Sequence, residues 1–189
     1  REDFPDEGYR SRIDKASEKA EIGRYSVYMT DTKIKAEITS TRRAALQRYI
    51  FPAREDARIL IDMFTPNEYP HNLMNAHITK VNDTEIEGHA TYYNAFTGYT
   101  LEQSYTLYFV LQFSKPFESM GGWVNEGVKP VTGYIPGWNR NHEFDTPAEI
   151  SQNIDEIEGK GDVGIFLNYK TAEGEEVLVR EIGRASCRE

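Results

Sequence analysis

Hydrophobic and polar residues alternate along much of this chain with a period of two, the spacing of a strand that keeps one face in water. Ile34–Ser40 shows it best: Ile34, Ala36 and Ile38 fall on one side, Lys35, Glu37 and Thr39 on the other. Leu46–Phe51 follows and is stopped by Pro52. Ala57–Phe64 has a near-continuous apolar centre, which predicts a central strand covered on both faces. Ala76–Val81 and Glu85–Thr91 flank Asn82 and Asp83 and predict a hairpin. Tyr105–Phe113 is the segment richest in residues that favour a pleated, half-buried surface. Val163–Tyr169 and Glu175–Arg180, around Ala172-Glu-Gly174, predict a second hairpin. Many short strands joined by turns predict an all-β fold, a two-sheet antiparallel β-sandwich.

One stretch departs from the alternation. Glu118–Asp162 is polar, marked by Gly and Pro, and reads as a long excursion between strands, a kind of segment that is often functional. Within it, Thr146-Pro-Ala-Glu149 has the form of a helix start, with a cap, Pro at the first position and Glu three residues on. Ile150, Ile154 and Ile157 recur at helical spacing and Gly159 could close the element, so one short helix near 147–158 is an open expectation.

Composition narrows the function classes. With 39% hydrophobic and 12% aromatic residues the chain has the makings of a core and is not a disordered segment. Thirty-one acidic against twenty-two basic residues give a net charge of −9, which argues against a nucleic-acid or anionic-membrane partner. The longest apolar run, Leu107–Leu111, is far below the ~18 residues of a membrane-spanning helix, so no span is expected.

The two ends carry their own signals. Arg1 is followed by neither a start nor a signal-peptide pattern, which predicts a chain that begins inside a longer protein. Residues 182–189 break the preceding pattern and resemble the conceptual translation of a short-read sequencing adapter, which sets a domain of 1–181 apart from a non-native tail. That tail holds Cys187, the chain's single cysteine. A segment without cysteine has no disulfide framework, thiol nucleophile or Cys-ligated metal.

Candidate chemistry is sparse. His71, His77, His89 and His142 include no pair at the i,i+4 spacing of a helical metal site, and scattered surface histidines are the expected arrangement. No phosphate-binding Gly-rich loop and no nucleophile elbow occurs. Asn82-Asp-Thr84 fits a glycosylation acceptor and equally a strand-joining turn. The aromatic residues are more suggestive: Tyr92, Tyr93, Phe96 and Tyr99 cluster ahead of the long strand, and Trp123, Tyr134 and Trp138 lie in the excursion. Such rings could lie flat on the C–H face of a sugar, or plug the ends of a sandwich. Trp123, Tyr134 and Trp138 are the candidate carbohydrate-binding residues.

Two stretches point to a family. The first comprises Glu18–Val27, Ile34–Arg43 with its Ala-Glu-Ile-Thr-Ser-Thr-Arg, Gln47-Arg-Tyr-Ile-Phe-Pro52 and Ile59-Leu-Ile-Asp62. The second comprises Tyr108-Phe-Val110 and Phe113-Ser-Lys-Pro-Phe117. Over roughly residues 9–180 the chain resembles glycoside hydrolase family 92, the exo-acting α-mannosidases, in their N-terminal β-sandwich domain. It departs from the family pattern at Gln47 and at Asp14, where a His is usual, and at Arg24, which replaces the first Tyr of a pair.

The resemblance implies a supersandwich-like domain packed in its parent on a C-terminal (α/α)6 barrel. It implies a calcium-dependent, inverting parent acting on mannose-containing glycans in the periplasm or outside the cell. The acids of that reaction would lie in the barrel beyond Arg180, and the Gly- and His-rich substrate motifs before Arg1. No catalytic residue and no metal ligand is therefore expected in this chain, and the calcium site would lie elsewhere in the parent. Asp62, Glu37 and Arg43 are expected on wet faces or in interdomain ion pairs rather than in contact with sugar. The alternative is a stand-alone carbohydrate-binding or adhesive sandwich, and a further one a structural module of a cell-surface protein. A sandwich lacking strands should also leave an open apolar edge, so residues 1–181 alone are expected to associate or dissolve poorly.

Overall fold

A computed structural model of the chain describes residues 11–64, 71–94, 103–127 and 147–187. Among the described residues every regular element is a strand. In chain order they are β1 (Ile13–Glu21), β2 (Arg24–Met29), β3 (Ile34–Ser40), β4 (Ala44–Phe51), β5 (Arg54–Asp62), β6 (His71–Asn82) and β7 (Glu85–Asn94). They continue with β8 (Gln103–Phe113), β9 (Ser119–Asn125), β10 (Glu149–Ser151), β11 (Glu156–Gly159), β12 (Asp162–Thr171) and β13 (Glu175–Cys187). A nine-stranded sheet has the order β1-β2-β3-β4-β13-β8-β7-β6-β11, and a four-stranded sheet the order β10-β9-β12-β5. Among the described residues these strands pair antiparallel throughout.

The sheets face each other through the apolar half of each alternation. Ile78, Ile86, Leu111, Phe113, Phe51, Val177 and Val179 of the large sheet meet Ile59, Met120, Ile165, Leu167 and Tyr169 of the small one. Ile34 and Ala36 are buried while Lys35 and Thr39 face water, as their spacing requires. Val163, Ile165 and Leu167 of β12 are fully buried, and burial of each such side chain is worth about 1.5–3 kcal/mol. The expected hairpin at Asn82 is formed by β6 and β7, with Asn82 Oδ1 accepting from the Thr84 N–H at 2.8 Å.

Three expectations are corrected. Ala57–Phe64 does not form a central strand: β5 ends the small sheet, and Arg58 and Leu60 look outward. A short apolar run does not report how many neighbours a strand has. Val163–Tyr169 and Glu175–Arg180 are not a hairpin either, because β12 belongs to the small sheet and β13 to the large one. The turn at Gly174, with φ of +73°, steps between sheets, and its N–H donates to Phe51 O at 2.9 Å. There another crossing between the sheets, from β4 to β5, lies alongside: Thr171 Oγ1 donates to Pro52 O at 2.8 Å and Ala53 N to Glu173 Oε2 at 3.1 Å.

The helix near 147–158 is replaced by β10 and β11, which join different sheets. Asn153 takes a left-handed φ of 54°, which no α-helix continues through. Ile150 is exposed, Ile154 packs on the core and Ile157 is buried, so the helical spacing of the three is coincidental. The excursion from Glu118 to Asp162 is correspondingly shorter than expected, since β9 is an inner strand of the small sheet.

Candidate functional site

Of the three aromatic candidates, Trp123 is described; Tyr134 and Trp138 lie outside the described residues, as do Phe96, Tyr99 and His142. Trp123 sits on β9 directly opposite Gly164 of β12, and Phe166 sits opposite Gly121. Each ring lies over the facing glycine: a Cβ on Gly164 would come within 2.1 Å of the indole, and one on Gly121 within 2.2 Å of the Phe166 ring. Two glycines thus let two aromatic rings lie flat on the outer face of the small sheet. The indole N–H donates to Asp162 Oδ1 at 2.8 Å.

That contact draws two carboxylates to one corner. Burial pushes the Asp162 carboxyl above its ordinary range, the indole N–H opposes the rise, and the charge of Asp62 adds to it. Asp62 Oδ1 in turn accepts from the Phe64 N–H at 2.8 Å. Behind them, on the inner side, Tyr92 is buried, stacks on Tyr105 with centroids 5.4 Å apart and donates its hydroxyl to Met63 O at 2.8 Å. Tyr92 is therefore a plug of the sandwich end, while Trp123, Asp162 and Asp62 form an outward-facing corner. The chain departs from this same end after Phe64, Asn94 and Gly127 and returns at His71, Gln103 and Pro147.

Glu37 is used differently. It points to the outer face of the large sheet but is buried beneath its own partners, with Lys35 Nζ 2.7 Å from Oε1 and Arg48 and Arg24 at Oε2. Hydrogen bonds from Lys35 and then Arg48 outweigh burial and hold its carboxyl at about 2. Such a group stays ionised and is no proton donor near neutral pH. Arg43 lies exposed in the turn between β3 and β4.

The structure also brings together a pair that the sequence spacing hid. His77 and His89 stand opposite each other on the outer face of the large sheet, ring centroids 5.7 Å apart, and Tyr108 continues the row 5.7 Å from His89. His77 Nε2 lies 3.2 Å from Glu156 Oε1. A register shift between Lys80 and Asn82 sets this pairing; an unbroken ladder from Asn82–Glu85 would have placed Ala90 opposite His77. Among the described residues no group of three or more His, Cys, Asp or Glu is placed to hold a metal ion.

Between the sheets, beside β5, runs an open cleft of about 430 Å³ lined by Tyr49, Ile61, Met63, Tyr92, Leu107 and Phe109. At its rim Gln47 Nε2 donates to Glu181 Oε2 at 3.1 Å. No described helix is long and apolar enough to cross a membrane.

Comparison with known proteins gives these features a setting. The sequence pattern described as "Glycosyl hydrolase family 92 N-terminal domain" matches residues 1–181. Among solved structures, the family 92 alpha-mannosidase BT3965 from Bacteroides thetaiotaomicron superposes with a TM-score of 0.66 at 28% identity, covering 93% of this chain and 20% of its own. That protein has also been solved with mannoimidazole. The inverting mannosidase BT2199 from the same organism shares the fold at a TM-score of 0.62 and 18% identity, over 92% of this chain and 19% of its own. The chain thus spans about a fifth of the length of these relatives. No curated protein matches it.

Proposed function

Because the chain belongs to glycoside hydrolase family 92, through the family's N-terminal domain, we propose that it is the non-catalytic β-sandwich of an exo-acting α-mannosidase. The observation that carries this reading is the match over residues 1–181 together with the fold match over 93% of the chain. The described carboxylates support a scaffold role, since several are committed to structural partners. Glu37 is held by Lys35 and Arg48, Asp162 by Trp123, Asp31 by Arg12, and Glu175 by Lys115 and the Ala172 N–H.

In this reading the parent hydrolyses terminal α-mannosides of glycans with inversion, in the periplasm or outside the cell. Inversion needs two carboxyl groups far enough apart to admit a water beside the sugar. Both would come from a C-terminal (α/α)6 barrel packed on this domain. Calcium, when bound in the parent, would supply a positive charge that orients the sugar hydroxyls. The described residues offer no group of three or more His, Asp or Glu for it; in this reading its ligands come from elsewhere in the parent. What this chain's own residues contribute is a sandwich scaffold, with Trp123 held by Asp162 on the outer face of its small sheet.

The test is mannose release from α-linked mannosides by the full-length parent and by the 189-residue chain, with the anomer of the first product followed by NMR. The full-length protein should release mannose with inverted configuration and the short chain none. Hydrolysis by the short chain, or a full-length parent inert on α-mannosides, overturns the reading. Saturable binding of mannose oligosaccharides by the short chain, lost in Trp123→Ala, would favour the stand-alone carbohydrate-binding alternative.

A further inference from the structure

Four strands face nine, and the mismatch is concentrated at one place. The register of β5 on β12 pairs Ile61 with Ile165 and Ile59 with Leu167, and Met63 N donates to Val163 O at 2.9 Å. Antiparallel ladders alternate, so the backbone groups of Ala57, Ile59, Ile61 and Met63 point to β12. Those of Asp56, Arg58 and Leu60 point the other way, where no strand lies among the described residues.

The remaining edges are guarded. β10 has three residues and β11 four, and β1 is broken by a register shift between Asp14 and Lys19 and carries Asp14, Lys15, Glu18, Lys19 and Glu21. Short, irregular or charged edges are the usual protection against further pairing. β5 has nine residues, and its ladder from Ala57 to Asp62 is unbroken. Directly beside it lies the apolar cleft, in which Leu107 is 38% exposed although it points toward the small sheet.

We infer that the free edge of β5 takes an additional strand, supplied by another segment of the parent chain, whose alternate side chains fill the cleft. The inference rests on the reading that this chain is one domain of a longer mannosidase; the matched relatives, of which it covers about a fifth, have the length to provide that segment. The geometry specifies the occupant's chemistry. It is extended, with aliphatic or aromatic residues at every second position facing Ile61, Met63, Leu107 and Phe109. It carries a hydrogen-bond donor, a hydroxyl or a basic side chain, where it passes the Gln47–Glu181 rim.

Hydrogen exchange on the full-length parent tests this at single residues. Arg58 and Leu60 amides should exchange as slowly as those of Ile59 and Ile61, and roughly 100-fold faster in the 189-residue chain. Fast exchange at Arg58 and Leu60 in the full-length protein overturns the inference, including the case in which only a dimer of the short chain protects them. A second arm uses Leu60→Pro, which removes an edge-facing N–H. It should lower the thermal midpoint of the full-length protein, and an unchanged midpoint counts against the added strand. Mannose release measured on the same preparations separates the two claims. An active parent with an unprotected β5 edge sinks the strand alone, and a protected edge in a parent inert on α-mannosides sinks the proposed function alone.

Discussion

Strands β5 and β12 carry nearly the same apolar text, Ile59-Leu-Ile61 and Ile165-Phe-Leu167, and pair with each other residue for residue. Their circumstances are opposite. β12 is flanked by β9 and β5, its inward residues are sealed against the large sheet, and even the outward Phe166 is buried, with the Arg58 guanidinium 5.2 Å from its ring centre. In β5 the inward Ala57 and Ile59 are buried, but the outward Leu60 is 41% exposed and one backbone edge is bare of any described strand. Apolar sequence therefore states what a strand can tolerate on its faces, and the neighbours decide how much of that is used.

Truncations should expose the contrast most sharply. Leu167→Ala should cost about 3–5 kcal/mol, the range for a leucine deleted from a tight core. Leu60→Ala should cost under about 1 kcal/mol in the short chain, as surface substitutions do. Denaturant midpoints measure both, and equal losses would erase the distinction. The packing of β12 on β9 is tested from the other side by Gly164→Ala, whose methyl collides with the indole. A cost of about 1–3 kcal/mol is expected, with a shift of Trp123 fluorescence. An unchanged spectrum would mean that the ring does not lie on Gly164.

Glu37 offers a third way of being covered, by side chains instead of strands. Its folded-state carboxyl sits at about 2 against an ordinary value of 4.5, so its contribution is complete above about 4.5 and is lost as the pH falls toward 2. Its two main partners, Lys35 and Arg48, are 47% and 38% exposed, which limits the contribution to roughly 1–2 kcal/mol. Glu37→Gln should remove that part of the acid dependence of stability, and an identical pH profile for the variant would refute it. The smallest effect is expected at Tyr169 of β12, where burial pushes the phenol well above its ordinary range and no described residue hydrogen-bonds its hydroxyl. Tyr169→Phe should leave stability within about 1 kcal/mol or raise it, because the desolvated group that is removed bonds to no described residue.

Much of the architecture was legible from alternation alone. Ile34–Ser40, Tyr105–Phe113 and the hairpin at Asn82 behave as their patterns require, and the family was legible from Ala36–Arg42 and Phe113–Phe117. What escaped were properties of partners. The hairpin expected at Gly174 failed because a tight turn with a left-handed glycine serves equally well to cross between sheets. The helix expected after Pro147 failed because Ile154 and Ile157 answer to two facing sheets and Asn153 breaks the backbone path between them. At the candidate site, Trp123 was found by residue type, but its partner Asp162 lies 39 positions away and depends on the β9–β12 register. The His77–His89 pair depends on a one-residue bulge that no periodicity announces.

The twin crossings at Pro52 and Gly174 bear on how the molecule comes into being. Their contact from Ala53 to Glu173 spans 120 positions, so β5 and the β13-facing edge of β4 are synthesised long before the strands that pair with them. At typical ribosomal speeds that interval is roughly 6–24 s. Through it, β5 and one edge of the β3–β4 pair wait in an unfinished nascent chain, and contacts so distant in sequence are of the kind that form late and slowly.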